Sequence, residues 1–300
     1  MTEHSTRPDE RFGHRVLDPM PTQEELETFY RDTYYTLVDE GRRAADIARA
    51  RQGGAAAEDQ ARWLSETLHR DIADAIREYG NGGNRVLEVG CGLGGLLSDL
   101  SGRGFEPSGV DLATTAVEAV RERGFEAHAG AFDELVSAGT VVPGSVDAVL
   151  FVNVLEQTFD PVSNLAAAAK VLAPGGVVIV RSGNDFNPLQ TAAVATMDLP
   201  RWWISAPEHI HYLSYDAVEA MMRSVGLDPC YRQSDFPMEL FLLLGSDYIT
   251  DKALGGDCHH RRVALERALP TKTRRRLYRA FAQADMGRCL FVVATKTEGR

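Results

Sequence analysis

The sequence lacks any long apolar segment. No run approaches the ~20 apolar residues that a helix needs to cross a bilayer, and the first residues, MTEHSTRPDERFGHR, lack the apolar core of a signal peptide. Cysteine is also scarce, with four residues scattered over a chain of 300, so we expect no disulfide framework. These absences favour a cytoplasmic protein without a membrane partner.

Basic residues are fewer than acidic residues in this sequence. The chain has 32 lysine and arginine residues against 43 aspartate and glutamate residues, a formal net charge of -11 at pH 7. Nucleic acid is therefore not an expected partner, because binding to phosphates requires a basic surface. The three arginines at 274–276 are typical of the solvated face of a helix. With 44% hydrophobic and 25% charged residues, the composition is that of an ordinary globular protein.

From Arg85 onward, short apolar segments alternate with segments of helical spacing. Strands that alternate with helices over short connections form a parallel sheet covered on both faces, and right-handed crossovers make it doubly wound. The sequence therefore predicts an α/β fold with a doubly wound, mostly parallel, seven-stranded sheet. Strands are expected at 85–89, up to Asp111, near Ala127, at 146–153, 177–182, 228–233 and 289–295.

Helical signals lie on both sides of this region. Thr22 and Glu25 have the spacing of a capping box at a helix N-terminus, and Trp63, Leu68 and Ile72 recur at helical intervals. The predicted parts are a disordered tail at 1–20, a helical extension at 21–82, a core at 83–234, a helical insertion at 235–287, and the last core strand with a tail at 288–300.

A glycine-rich turn follows the first predicted strand. Gly90, Gly92 and Gly94 allow a tight turn and the close approach of a ligand, and the amides of the helix that follows favour polar or anionic groups. Asp111 ends the second strand, where its carboxylate can accept both hydroxyls of a ribose. The spacing also satisfies the G-x-G-x-x-G pattern of dinucleotide-binding proteins. A nicotinamide-dependent oxidoreductase therefore stays open on this feature alone.

Three further features bear on which cofactor the glycine turn binds. Glu88 lies inside the strand, two residues before the glycines, where a buried carboxylate has to organise the turn or the ligand. The fourth strand ends in the polar stretch Asn153–Gln157, at the sheet edge where ligands bind in this architecture. The sequence LAPGG, residues 172–176, joins the next helix and strand.

In this order and spacing, LEVGCGLG, the acid at Asp111, VDAVLFVNVLEQ and LAPGG resemble the class I S-adenosylmethionine-dependent methyltransferases, over residues 85–226. The resemblance implies a Rossmann-like methyltransferase fold, S-adenosyl-L-methionine as cofactor and S-adenosyl-L-homocysteine as product. The reaction implied is transfer of the methyl group to oxygen or nitrogen of a small-molecule acceptor. A non-catalytic partner subunit that binds the cofactor remains an alternative, as does the oxidoreductase.

The resemblance also implies which residues bind the cofactor. Asp111 is expected to bind the ribose hydroxyls and Leu112 the adenine, with Asn153 at the methionine end. Ala131 departs from the family pattern, since an aspartate often stands there, and Gln157 replaces the usual histidine of VLEH. The full set of expected cofactor-binding residues is Glu88, Gly90, Cys91, Gly92, Asp111, Leu112, Ala131, Phe132, Asn153 and Val154.

Two histidines are the candidate catalytic bases. Methyl transfer from a sulfonium is an in-line displacement, which needs a base only if the nucleophile must lose a proton. His209 and His211 lie on the loop after the fifth strand, and histidine is the residue type suited to a general base near neutral pH. The alternative is that one of them only anchors the loop. No metal ion is expected, because this His-x-His pair lacks a convincing third ligand.

The acceptor is expected to bind beside this loop. Residues 207–226 resemble the HxxxFSxxxLxxLLxxxGF stretch of a subgroup that acts on small acceptors, including sugars and natural-product intermediates, and the insertion at 235–287 is expected to face the acceptor. Packing of the hydrophobic core is the alternative role for the aromatic candidates, and the sequence leaves a homodimer open. The candidate acceptor-binding residues are Tyr34, Tyr35, Trp203 and Glu156.

Overall fold

The structure is a computed structural model that describes residues 5–40 and 53–297, without the side chains of Tyr35 and Asp39. The strands are β1 (Ser5–Pro8), β2 (Arg15–Asp18), β3 (Arg85–Val89), β4 (Glu106–Asp111), β5 (Glu126–Ala129), β6 (Val146–Val152), β7 (Leu172–Gly183), β8 (His211–Tyr212), β9 (Leu227–Ser234) and β10 (Cys289–Lys296).

The α-helices lie before, between and after these strands. They are α1 (Gln23–Thr28), α2 (Tyr34–Asp39), α3 (Ala55–Leu64), α4 (Arg70–Tyr79), α5 (Gly95–Gly102), α6 (Thr114–Glu122), α7 (Phe132–Ser137), α8 (Pro161–Val171), α9 (Pro188–Met197), α10 (Tyr215–Ser224), α11 (Glu239–Leu243), α12 (Ala253–Ala268) and α13 (Thr271–Gln283). Two π-helical turns, Phe29–Thr33 and Ser65–His69, continue α1 and α3.

The large sheet has seven strands in the order β5-β4-β3-β6-β7-β10-β9. The pairs among β3 to β7 are parallel, and β10 runs antiparallel to both β7 and β9. The predicted doubly wound, mostly parallel, seven-stranded sheet is confirmed, as are the helical N-terminal extension and the helical insertion between the last two strands.

The hydrophobic core lies on both faces of this sheet. Along β6, Val149 and Phe151 pack on one face, and Ala148 and Leu150 pack on the other. A parallel strand buried on both faces is a continuous apolar run for this reason. Because the parallel strands share one direction, the carboxyl ends of β3, β4, β6 and β7 lie at one edge of the sheet.

The predicted disorder of residues 1–20 is wrong for the described residues 5–20. β1 and β2 form a hairpin, and β2 pairs with β8 in a second, three-stranded sheet. Leu17 on β2 is 2% exposed and packs with Ile210 and Tyr212. The stabilising contacts come from residues nearly 200 positions away, so the local composition of the tail did not reveal them.

The run of arginines at 274–276 is not a purely solvated face. The Arg274 side chain is buried, and its Nη2 atom lies 2.7 Å from Oδ1 of Asp71 on α4. Arg275 pairs with the same carboxylate at 2.7 Å. The solvated-face prediction is therefore wrong for Arg274, because α13 packs against the helical extension through these ion pairs.

A buried histidine pair links the residue before β2 to strand β8 of the small sheet. Nε2 of His14 lies 2.9 Å from Nδ1 of His211, and both side chains are buried. Burial lowers the pKa of His14 to about 4, with a further lowering by His211 and an opposing effect of Asp9. Burial also lowers the pKa of His211. Both rings are therefore neutral in the folded protein at pH 7.

The histidine pair predicts that acid destabilises the protein. In the unfolded chain His14 gains a proton near pH 6.5, but in the folded chain only near pH 4. Between these values the unfolded state binds more protons, so the free energy of unfolding falls as the pH falls. We expect a loss on the order of 1–2 kcal/mol between pH 6.5 and pH 5 from this residue.

Urea denaturation at a series of pH values measures this loss. His14→Gln should reduce the slope of the free energy of unfolding against pH by the equivalent of up to about one proton. The exposed-site control His260→Gln should leave this slope unchanged. Equal slopes for His14→Gln and the parent protein would contradict the prediction.

Candidate functional site

A cavity of about 1150 Å³ opens at the carboxyl edge of the large sheet. Ligand pockets usually measure about 300–1,000 Å³, so this volume accommodates two small molecules side by side. The cavity extends from the glycine turn after β3, past the ends of β4, β6 and β7, to the loop before β8 and to α11. Helices α1 to α3 of the extension contribute to its wall.

The glycine turn is shaped for close contact with a ligand. Gly90 has φ +70°, and a Cβ atom there would lie 2.4 Å from Cγ2 of Val154. Gly92 and Gly94 also have positive φ, and Gly94 is the N-cap residue of α5. Glycine is therefore required at 90 both by the backbone conformation and by the space available.

Asp111 at the end of β4 is tied to this turn. Its Oδ2 atom accepts a hydrogen bond from the backbone N–H of Gly92 at 2.9 Å, and its Oδ1 atom accepts one from Ala113 at 2.9 Å. Burial raises the pKa of Asp111, and these backbone hydrogen bonds oppose the rise. Asp111 lines the cavity with Leu112 beside it, and their contacts with the ribose and the adenine stay predictions.

Glu88 supplies an unpaired acceptor to the same region. It is 6% exposed, lines the cavity, and its Oε2 atom has no hydrogen-bond partner among the described residues. Burial, followed by the charge of Asp111, raises the pKa of this carboxyl group well above its usual range. A ligand that brings an N–H donor would supply the missing partner, because a buried unpaired acceptor is costly.

Asn153 lies where the methionine end of the cofactor is expected. It has φ +56°, and its backbone N–H donates to the carbonyl of Arg181 at 2.7 Å. The guanidinium of Arg181 donates in turn to Oδ1 of Asn153. Arg181 therefore holds both the backbone and the side chain of Asn153 in place. Val154, Ala131 and Phe132 also line the cavity.

Cys91 is the cofactor-site candidate that the structure places elsewhere. Its side chain is 5% exposed and packs with Leu97 and Val117 beneath the turn, outside the cavity lining. Its backbone N–H donates to the carbonyl of Val110 at 3.1 Å. The Cys91 side chain therefore does not line the cavity, and its expected contact with the cofactor stays a prediction.

The two candidate bases have different surroundings. His209 is half-buried and lines the cavity, whereas His211 does not line it and is paired with His14. The other ring nitrogen of His211, Nε2, lies 3.4 Å from the carbonyl of Phe159. Because β8 turns His211 toward β2, the structure does not support the predicted catalytic role of His211.

Glu156 is the neighbour of His209. Its side chain is 2% exposed and lines the cavity, and its Oε2 atom has no hydrogen-bond partner among the described residues. Burial raises the pKa of Glu156, and the nearby charge of His209 opposes the rise. The backbone N–H of Ile210 donates to the Glu156 carbonyl at 3.1 Å, which ties the histidine loop to the end of β6.

The aromatic candidates form part of the wall. Tyr34 and Trp203 line the cavity, and Trp202 contacts Trp203 edge to face at 4.9 Å between ring centroids. Nε1 of Trp203 is buried without a hydrogen-bond partner in the described part of the chain. The side chain of Tyr35 lies outside the described residues, so its predicted contact with the acceptor stays a prediction.

Several cavity residues were missed by the sequence-based prediction. Asp185 follows the end of β7, and the criterion applied to Asn153, a polar residue after a buried strand, would have found it. Glu239 stands alone among apolar residues in FPMELFLLL, an unusual place for an acid. His69 belongs to the helical extension, and burial lowers its pKa to about 4. No local pattern marks His69.

The donor set suits an organic cofactor. Glu88, Asp111 and the glycine turn offer acceptors for an ammonium group and for ribose hydroxyls, which is the chemistry that S-adenosylmethionine presents. Among residues 5–40 and 53–297, no three His, Cys, Asp or Glu side chains are grouped so as to hold a metal ion. Over the same ranges, none of the helices combines the length and the apolar character of a membrane span.

Comparison with known proteins identifies relatives of this chain. The family model described as a methyltransferase domain matches residues 61–230, more than half of the chain. A ubiquinone biosynthesis O-methyltransferase from Thiobacillus denitrificans is 38% identical over 154 residues, which are 49% of this chain and 65% of that protein. The match thus spans less than two thirds of the relative's own length.

Solved structures share the fold. A SAM-dependent methyltransferase from Archaeoglobus fulgidus superposes with a TM-score of 0.53 and 16% identity, covering 88% of this chain and all 100% of that one. The 1,6-didemethyltoxoflavin-N1-methyltransferase of Burkholderia thailandensis, solved with its acceptor and S-adenosylhomocysteine, gives 0.52 and 13%, covering 99% and 97%. At these identities the likeness concerns the fold alone.

Proposed function

Because the chain belongs to the class I S-adenosylmethionine-dependent methyltransferases, we propose that it methylates a hydroxyl oxygen of a small metabolite, with His209 as general base. The observation that carries this proposal is the single cavity that joins the glycine turn to His209 and Glu156. Oxygen is favoured over nitrogen because the relative from Thiobacillus denitrificans is named an O-methyltransferase. A sugar or a natural-product intermediate is the class of acceptor that fits.

The donor half of the site binds and orients the cofactor. When bound, S-adenosylmethionine supplies an electrophilic methyl carbon on a sulfonium. Asp111 accepts hydrogen bonds from the ribose hydroxyls, and Glu88 accepts from the ammonium group. Gly90 leaves room for the cofactor against the backbone, and Asn153, held by Arg181, bounds the methionine end. Orientation of this kind is the main source of rate for an in-line displacement.

The acceptor half activates the nucleophile. His209 removes the hydroxyl proton as the oxygen attacks, and Glu156 beside it stabilises the imidazolium that forms. Trp202 and Trp203 line the same cavity, and we expect them to shield the acceptor from water. The nicotinamide alternative has no support from the relatives, which are methyltransferases.

A substitution at His209 tests the base. His209→Asn should lower kcat by about 10²–10⁴-fold, the usual contribution of a positioned base, with little change in the affinity for S-adenosylhomocysteine. The rate of S-adenosylhomocysteine formation with a hydroxylated acceptor measures kcat, and calorimetry measures the affinity. The exposed-site control His260→Asn should keep the parent rate. A parent-like rate for His209→Asn would exclude it as the base.

The proposal includes the location and assembly of the enzyme. The four cysteines are all unpaired, as is usual for proteins of a reducing compartment, which supports the cytoplasm. A homodimer stays a prediction that sedimentation of the purified protein checks.

A further inference from the structure

Two acids, the buried Glu239 and the half-buried Asp185, form a second polar site in the cavity that the proposed base also lines. Asp185 follows β7, and Glu239 begins α11 in the insertion; both line the cavity. Glu239 is 2% exposed, and its Oε2 atom has no hydrogen-bond partner among the described residues. The side-chain amide of Gln190 on α9 lowers the pKa of both acids by hydrogen bonding, against the larger effect of burial. The wall of the cavity thus includes a buried acid with one unsatisfied acceptor oxygen.

The charges around this site leave the acids without a full counterion. Arg181 and Arg262 line the cavity, but both guanidinium groups are engaged by Asp235, at 3.4 Å and 3.2 Å. Arg288 acts on both acids electrostatically, yet within the described residues it makes no ion pair at 4.0 Å or less. Burial, with the charge of Glu156, raises the pKa of Asp185 to about 7. Buried acids in this state favour a cationic partner.

Aromatic side chains stand around the same part of the cavity. Trp202, Trp203 and Tyr248 line it together with the acids. Tyr248 is close enough to Glu239 for the carboxylate to act on its pKa, after burial, which is the larger cause. Aromatic faces attract organic cations, most strongly where water is excluded. Acids and aromatic rings in one cavity are therefore suited to a protonated amine.

We propose that the methyl acceptor carries a protonated amine besides its hydroxyl group, and that Asp185 and Glu239 bind this amine. The inference rests on the proposed function for the position of the hydroxyl group at His209. Asp185, Glu239 and His209 line one cavity, and the charge of Glu156 acts on Asp185 while that of His209 acts on Glu156, so we expect one small molecule to reach both sites. Amino sugars and hydroxylated aromatic amines belong to this class of acceptor.

Matched ligands test the amine site. Dopamine, 4-ethylcatechol and 3,4-dihydroxyphenylacetate share a hydroxylated ring and differ in the charge of the side chain. Glucosamine, glucose and glucuronate form a second such set. Calorimetry in the presence of saturating S-adenosylhomocysteine gives the dissociation constants. In at least one set, the amine should bind about tenfold or more tightly than the neutral compound, as a charge-assisted hydrogen bond predicts.

Conservative variants show which residues cause the preference for the amine. Glu239→Gln and Asp185→Asn keep the size of the side chain and remove its charge, so each should reduce the preference for the amine to within about threefold. Both should bind S-adenosylhomocysteine like the parent protein. Glu118→Gln, at an exposed position on α6, should retain the full preference. Equal binding of the amine, neutral and acidic members in both sets, or no binding by any of them, overturns the proposal. So does a preference that persists in both variants.

Methyl transfer is recorded separately so that two failures can be told apart. Amine-selective binding combined with an unchanged rate in His209→Asn supports the amine site and removes the proposed base. If neutral and amine compounds are both methylated and bind with equal affinity, the proposed function stands and the amine site is overturned.

Discussion

Replacing Asp111 with alanine is expected to weaken the binding of S-adenosylhomocysteine by about 100-fold or more. The carboxylate accepts hydrogen bonds from the backbone of Gly92 and Ala113 and lines the cavity, where we expect it also to accept hydrogen bonds from the ribose hydroxyls. Hydrogen bonds to a charged group contribute about 1.5–3 kcal/mol each. Loss of two such bonds to the ribose therefore corresponds to about two orders of magnitude or more.

Calorimetry on the purified variant measures this effect. Asp111→Asn retains one acceptor and the hydrogen bond from one backbone amide, so an intermediate affinity is expected. Glu118→Gln removes an exposed carboxylate from α6 and should bind the ligand like the parent protein. An affinity of folded Asp111→Ala within about threefold of the parent would show that this acid does not contact the cofactor, and would remove the donor half of the proposal.

Replacing Asp235 with asparagine is expected to destabilise the fold by about 3 kcal/mol. Asp235 is the shared acceptor of Arg181 and Arg262, and it also accepts from the backbone N–H of Cys289 at 2.8 Å. Arg262 is 7% exposed. Removal of one member of a buried ionic network leaves the other charges uncompensated, which costs about 3–5 kcal/mol in comparable cases. The ion pair between Arg262 and Glu266, at 3.0 Å, remains in the variant, so we expect the loss in the free energy of unfolding to lie at the lower end of this range.

Urea denaturation provides the free energies of unfolding, with a matched control. Asp216 also pairs with an arginine, Arg232, at 2.8 Å, but its side chain is 89% exposed. Asp216→Asn should therefore cost less than about 0.5 kcal/mol. Since Arg181 also holds Asn153, Asp235→Asn should lower the affinity for S-adenosylhomocysteine as well. A cost for Asp235→Asn no larger than for Asp216→Asn would contradict the account of this network.

The donor half of the site was predictable because its signals are local. Gly90 and Gly92 indicate a backbone with positive φ, and Glu88 lies two residues before Gly90. Asp111 ends the next strand, and parallel neighbours place it against the turn. Each of these features depends on a few neighbouring residues and one short crossover, so it can be recognised in a single sequence. A cofactor contact of Cys91 stays a prediction, and its side chain packs beneath the turn, because position within a motif does not state which way a side chain points.

The acceptor half was less predictable, since it is assembled from distant segments. His211 was a reasonable candidate by residue type, but the pairing of β8 with β2 turns it toward His14. That pairing joins segments nearly 200 residues apart. The strands of the N-terminal tail were missed for the same reason. Arg274 was expected to be solvated, and only the packing of α13 on α4 buried it against Asp71.

The sequence by itself determined the fold class, the cofactor turn and the family, because strand periodicity, glycine geometry and strand-end acids are short-range properties of the chain. Only the tertiary structure decided which polar groups share the acceptor site. Glu156, Asp185, Glu239 and His209 come from four separate segments and meet in one cavity. Burial is the main cause of the raised pKa of Glu156, Asp185 and Glu239, and the charges of Glu156 and Glu239 add to it at Asp185, so these shifts depend on the packed arrangement of the chain.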